Sequence, residues 1–86
     1  MRLDKYLKVS RLIKRRTLAN DACDAGRVLV NSNQARASYE VKAGDVLEIR
    51  LGSHMLKAKV LAVDEFARKN DAAGMYEILS EEPGKP

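Results

Sequence analysis

Hydrophobic and polar residues change rhythm once along this chain, near Arg27. Before it, apolar positions recur at the three- and four-residue spacing of a helix; after it, they alternate as in strands. At about 100° per residue, Leu3, Tyr6 and Leu7 fall between about 40° and 140°, while Arg2, Lys5 and Lys8 lie on the other side. The pattern predicts a short amphipathic helix. It cannot continue, because Val9 then falls among the cations and Lys14 among the apolar residues, so the helix should stop at Val9 or Ser10. Leu12 and Ile13 are expected to enter the core from a connection that leaves Lys14, Arg15 and Arg16 on an exposed bend. Thr17 suits the N-cap of a second helix, with Leu18, Ala22 and Ala25 on one face, Asn20 and Asp24 outward, and Gly26 at its left-handed end.

Strand and turn vocabulary follows. Val28 and Val30 alternate with Leu29, Asn31-Ser32-Asn33 reads as a turn, and Lys42-Ala43-Gly44-Asp45 reads as another. Leu47, Ile49 and Leu51 mark one face of a half-buried strand. Gly52-Ser53 is a hairpin connection of the type with Gly first, and Leu56, Ala58, Val60 and Ala62 continue the apolar face on the return. Residues 64 to 74 are polar and partly helical, and Met75 to Leu79 form a closing strand. The expected architecture is α+β: two short N-terminal helices packed on a small, mainly antiparallel sheet, with a short C-terminal strand extension. One domain over residues 1–80 and a flexible tail over 81–86 are expected.

Composition bounds this picture. A chain of 86 residues makes one small domain, burying about 60% of the surface its unfolded form exposes. With no Trp and one Phe, the core must be built from Leu, Val, Ile and Ala. No apolar run approaches the ~20 residues that span a bilayer. The lone Cys23 cannot form an internal disulfide and no signal-like segment opens the chain, so a reducing cytoplasm is the expected compartment.

Charge sharpens the picture further. Residues 1 to 36 hold nine Lys or Arg against three Asp or Glu, whereas residues 37 to 86 hold seven against nine. The formal net charge of +4 therefore hides a basic N-terminal half and a slightly acidic remainder. Between Arg2 and Arg16 alone there are seven basic residues and one acid, Asp4. Such a patch can be a solubilising surface, an anionic-membrane contact or a phosphate-binding face. The last is favoured because Lys14-Arg15-Arg16 leads into a helix N-terminus, where free N–H groups add to the positive field. Lipid is disfavoured, since the apolar side of the first helix is two turns long and used by the core. Duplex DNA is disfavoured too, because the second helix presents mainly Asn20, Asp21 and Asp24, and the acidic pair would repel a phosphate backbone. Folded RNA recognised by shape fits best.

Catalysis has little to work with. One His and one Cys supply neither a metal cluster nor a catalytic pair, and there is no phosphate-binding loop. His54 belongs to an exposed turn, and Cys23 should be an inert thiol raised by Asp21 and Asp24. The tyrosines are scattered and suit core or sheet positions better than stacking platforms. No enzyme activity, cofactor or metal is expected.

Several segments resemble the RNA-binding domain named after small-subunit ribosomal protein S-four. They are Arg2-Leu3-Asp4-Lys5-Tyr6-Leu7, the basic bend into Thr17-Leu18-Ala19, Gly26-Arg27-Val28-Leu29-Val30-Asn31, and Gly44-Asp45. One departure is Ser32, where the family often has Gly, so Asn31 or Asn33 is expected to take the left-handed dihedral. Residues 8 to 19 and Met75-Tyr76-Glu77-Ile78-Leu79 narrow the likeness to stand-alone bacterial members of ribosome-associated quality control, the RqcP family. The related fifteen-kilodalton heat shock proteins carry a long basic C-terminal extension, which this chain lacks.

This resemblance implies binding to large ribosomal subunits that carry a blocked peptidyl-tRNA, with contacts to 23S rRNA and tRNA, in support of alanine tailing by an RqcH-type factor. It assigns Arg2, Arg16 and Asp4 to the ribosomal RNA contact; the charge pattern adds Lys5, Lys8, Arg11, Lys14 and Arg15 beside them, with Thr17 at the start of the second helix and Arg36 as an extension. First-turn dipole compensation is an equal alternative for Asp4. The expected state off the ribosome is a monomer. Competing readings are a heat-shock-type rescue factor, a general structured-RNA binder and a fragment of an RNA-modifying enzyme.

Overall fold

The computed structural model describes residues 1–64 and 69–83. Helix α1 spans Leu3–Val9 and helix α2 spans Arg16–Asp24. Strands β1 (Val28–Val30), β2 (Asn33–Gln34), β3 (Val46–Leu51), β4 (His54–Val60) and β5 (Tyr76–Pro83) form one sheet in the order β2-β1-β3-β4-β5. Every pairing in it is antiparallel. A single helical turn, α3 (Lys69–Ala72), leads through a 3-10 turn at Ala73–Met75 into β5. The architecture is the α+β arrangement of two helices on an antiparallel sheet.

Helix α1 forms where the segregation of charge and apolar residues predicts it. Leu3, Tyr6 and Leu7 are fully buried and Lys8 is exposed. Each such aliphatic side chain contributes about 1.5–3 kcal/mol by leaving water. The helix ends at Ser10, and Arg11 then takes a left-handed φ of 65°, with its N–H donating to the Lys8 carbonyl at 3.0 Å. That turn sends Ile13 into the core and leaves Leu12 half-buried against it.

Helix α2 departs from expectation at both its start and its face. It begins at Arg16 with Arg15 as N-cap, so Thr17 lies inside the first turn and caps nothing. Its buried residues are Ala19 and Cys23, while Leu18 is 53% exposed and Ala25 is exposed. Small side chains take the inner face because α2 packs closely on α1 and on β1. The C-terminus follows the expected pattern. Gly26 has φ +75°, its N–H reaches the Cys23 carbonyl, and the Arg27 N–H reaches that of Ala22, which satisfies two terminal carbonyls.

The sheet presents Val28, Val30, Leu47, Ile49, Leu56, Ala58 and Val60 to the helices as one continuous core. The β1–β2 connection is a two-residue turn, with Val30 opposite Asn33. Both of its central residues have positive φ, 51° at Asn31 and 71° at Ser32. The second left-handed residue is thus Ser32 itself and not Asn33. Strand β5 is longer than the apolar pattern suggests: it pairs with β4 through to Pro83 opposite His54, with a bulge beside Lys57 and Ala58. Residues 81–83 belong to this strand, and 84–86 lie outside the described residues, as does part of the polar stretch at 64–74. Ala62 is exposed rather than inward. No described helix is long and apolar enough to cross a membrane.

Candidate nucleic-acid interface

The basic N-terminal segment is organised by its one acid. Asp4, in the first turn of α1, has a side chain only 3% exposed, yet it touches two arginines. Arg2 approaches with Nε 3.2 Å from Oδ1 and Nη2 3.5 Å from Oδ2. Arg16, the first residue of α2, brings Nε to 3.4 Å from Oδ2. The Asn20 side-chain amide donates to Oδ2 at 3.3 Å, and the Lys5 backbone N–H donates to Oδ1 at 2.8 Å. Burial would push the Asp4 carboxyl up, but the hydrogen bonds from Asn20, Arg2, the Lys5 amide and Arg16 outweigh it and hold the pKa below the ordinary carboxylate value. An ionised, buried carboxylate therefore anchors guanidinium groups whose side chains stay half exposed, at 51% for Arg2 and 49% for Arg16.

Local sequence places each part. Arg2 bridges to Glu40 through the backbone, and the Leu3 and Asp4 N–H groups donate to the carbonyls of Tyr39 and Ala37. The start of α1 is thus fixed against the segment after β2. Arg16 and Asn20 stand four residues apart on α2 and so share one face, turned towards Asp4. Asp4, Arg16, Thr17, Asn20 and Asp21 line a shallow depression between the helices.

The remaining cations of the segment differ in exposure. Lys8, Arg11, Lys14 and Arg15 are exposed, and Lys5 is half-buried on α1. Arg36 is exposed but sits elsewhere, lining a depression with Cys23, Asp24, Ala25 and Gln34 at the far end of α2. It is not brought to the Asp4 cluster. Asn20 is the residue that sequence reasoning misplaces: expected outward, it is half-buried on Asp4. Its four-residue spacing from Arg16 was the available signal.

Other candidates resolve differently. Tyr6 is fully buried, with its hydroxyl donating to the Met75 carbonyl at 2.7 Å, and Tyr39 donates to Asp45 at 3.1 Å. His54 is exposed, 3.9 Å from Glu81. Burial pushes the Cys23 thiol up to about 11, helped by the charges of Asp4 and Asp24 rather than Asp21.

Comparison with known proteins agrees with the fold. The S4 domain family model matches residues 1–47, which contain α1, α2, the β1–β2 hairpin and the Asp4 cluster. Over 81 residues the chain is 56% identical to the RQC P-site tRNA stabilizing factor of Streptococcus pneumoniae, covering 94% of this chain and 92% of that one. The chain belongs to the RQC P-site tRNA stabilizing factor family of S4-domain proteins. Another member of the family, from Bacillus subtilis, is 54% identical over 82 residues, 95% of each chain. Among solved structures, Heat Shock Protein 15 of Vibrio cholerae superposes with a TM-score of 0.86 at 27% identity, over 93% of this chain and 82% of that one.

Proposed function

We propose that this protein is a non-enzymatic RNA-binding component of ribosome-associated quality control. In this reading it holds the P-site tRNA on large ribosomal subunits that carry a blocked peptidyl-tRNA. Arg2 and Arg16 meet phosphates of 23S rRNA, Lys5, Lys8, Arg11, Lys14, Arg15 and Thr17 extend the contact, and Arg36 adds a separate one. Asp4 positions the two arginines rather than meeting phosphate itself. By keeping the tRNA in place, the protein supports C-terminal alanine tailing of the nascent chain by an RqcH-type factor. A particle of this kind is cytoplasmic, and off it the protein is a monomer.

One observation carries the reading: a buried carboxylate fixes two half-exposed guanidinium groups, one from the N-cap of α1 and one from the first turn of α2. Free lysines on a solubilising surface need no such anchor. A pre-oriented pair of forks suits fixed phosphates of a folded RNA, since the ordering entropy of both side chains is met before binding. The names of the relatives support a role at P-site tRNA.

Sedimentation of tagged protein from cells tests this. Enrichment in large-subunit fractions that contain peptidyl-tRNA, lost on Arg16→Ala, is expected. Even spread across all ribosomal and free-RNA fractions would favour a general structured-RNA binder. Association with empty large subunits alone would overturn the tRNA-holding role.

A further inference from the structure

Helix α1 begins without a side-chain cap, since its N-cap residue Arg2 makes no such bond. Its first N–H groups donate instead to carbonyls of the connection between β2 and β3, Leu3 to Tyr39 at 2.7 Å and Asp4 to Ala37 at 3.2 Å. Helix N-terminal donors need acceptors of this kind when no side chain supplies one. The Val41 N–H returns a bond to the Met1 carbonyl at 2.9 Å, so the connection grips Arg2 from both sides in sequence. Where α1 starts, and hence where Arg2 and Asp4 stand, follows from where this connection lies.

The connection is tied in turn to Asp45, a buried carboxylate. Its Oδ2 accepts the Tyr39 hydroxyl at 3.1 Å and the Lys42 N–H at 3.0 Å, and its Oδ1 accepts the Asn31 side-chain amide at 3.1 Å. The backbone of Asp45 is fixed on the sheet, because the Val60 N–H donates to its carbonyl at 2.8 Å. All three side-chain partners are donors. Asn31 is held in that sense by the Val46 N–H, which donates to its Oδ1 at 3.0 Å and turns its Nδ2 towards Asp45. An amide at position 45 would set one donor against another, so the node calls for a carboxylate.

We propose that Asp45 is a positioning residue for RNA binding: through the Tyr39 hydroxyl it sets the connection that receives the start of α1, and thereby the place at which Arg2 presents its guanidinium. This rests on the reading of Arg2 as a phosphate contact. A forked guanidinium bond to phosphate is directional, so a small shift of the helix start weakens it with no change in the number of cations.

The test measures affinity of the full-length protein for a fluorescein-labelled 23S rRNA hairpin over a range of salt, well below every variant's melting midpoint. Asp45→Asn removes a negative charge, so charge alone predicts tighter RNA binding, whereas lost positioning predicts weaker binding. Tyr39→Phe removes only the hydroxyl and guards against a misfolded Asp45→Asn. Both should weaken binding by about threefold or more and lower the slope of log affinity against log salt towards the about 0.7–0.9 of one lost phosphate contact. Asn31→Gly, which keeps the left-handed backbone but cuts a bond to Asp45 on the turn side, should lower the melting midpoint and leave the slope unchanged. In the Tyr39→Phe background Arg2→Ala should cost less than it does alone, while Lys14→Ala should cost its full amount. Tighter or equal binding by Asp45→Asn, or an unchanged slope in Tyr39→Phe where Arg2→Ala lowers it, would overturn the proposal and leave the Arg2 contact standing. An unchanged slope in Arg2→Ala itself would overturn both.

Discussion

Asp4 of α1 and Arg16 of α2 are joined by a 3.4 Å contact between Oδ2 and Nε, which ties the two helices together. Arg2 holds the same carboxylate from the other side. Basic patches usually lose energy to self-repulsion; here the central acid offsets it and directs the cations outward at once.

Asp4→Asn is therefore expected to destabilise the fold by about 1–2 kcal/mol at neutral pH, because charge-assisted hydrogen bonds become neutral ones. The sign of the pH dependence follows from the lowered pKa. A carboxyl below its ordinary value of 3.8 when folded contributes stability that is complete above that value and is lost as pH falls through the folded pKa. Urea midpoints of wild type and variant should differ at pH 7 and converge as pH falls through the folded pKa of Asp4. A gap of the same size on both sides of that pKa would show that Asp4 acts through shape alone.

Ser32→Gly should stabilise the protein by about 0.5–1 kcal/mol, since Ser32 holds a φ of 71° that costs an L-residue about 1–2 kcal/mol. Part of that gain is offset by the greater freedom of Gly in the unfolded chain. The melting midpoint should rise by a few degrees with RNA affinity unchanged. A fall in the midpoint would mean the serine side chain contributes more than its backbone strain removes.

That turn also shows what the sequence could and could not disclose. Asn31-Ser32-Asn33 is recognisable as a turn by composition, but which two residues are left-handed depends on the register of Val30 opposite Asn33, a tertiary fact. Helix α1 was legible because three core residues and three cations separate cleanly around it. Helix α2 was legible as an element but not in phase. Hydropathy favours Leu18 for the inside, whereas close packing on α1 admits only Ala19 and Cys23 there. The cations of the site could be counted from the sequence; their anchoring could not, because Asp4 meets Arg16 and Asn20 only after the helices dock. Glu81 looked like tail because strands seldom favour acids, yet it pairs across from Leu56.

Tyr6→Phe offers a measured contrast within the core. The lost hydroxyl bond runs to the Met75 carbonyl, which also accepts the Leu61 and Ala62 N–H groups at 2.8 and 3.2 Å. The carbonyl stays satisfied, so the loss should be at the small end, about 0.5–1.5 kcal/mol. Tyr6→Ala also opens a cavity and should cost about 3–5 kcal/mol. Chemical denaturation of the two variants checks the ratio; equal losses would show that the bond to Met75, not ring packing, holds α1 to the start of β5.

Arg2 and Arg16 share a carboxylate, so their effects on RNA binding should not add. Removing either frees Asp4 to pull harder on the other, which draws the survivor away from phosphate and makes each single loss larger than its own contact. A double-mutant cycle on affinity for a ribosomal RNA hairpin should then show the Arg2→Ala, Arg16→Ala pair losing about 0.5–1 kcal/mol less than the two singles combined. On the distant sheet, Arg50→Ala should add independently to either and weaken binding less than Arg16→Ala. Salt provides the second readout. Each phosphate contact removed should lower the slope of log affinity against log salt by about 0.7–0.9. An additive cycle would refute the coupling through Asp4, and an unchanged slope in Arg16→Ala would refute a phosphate contact at that residue.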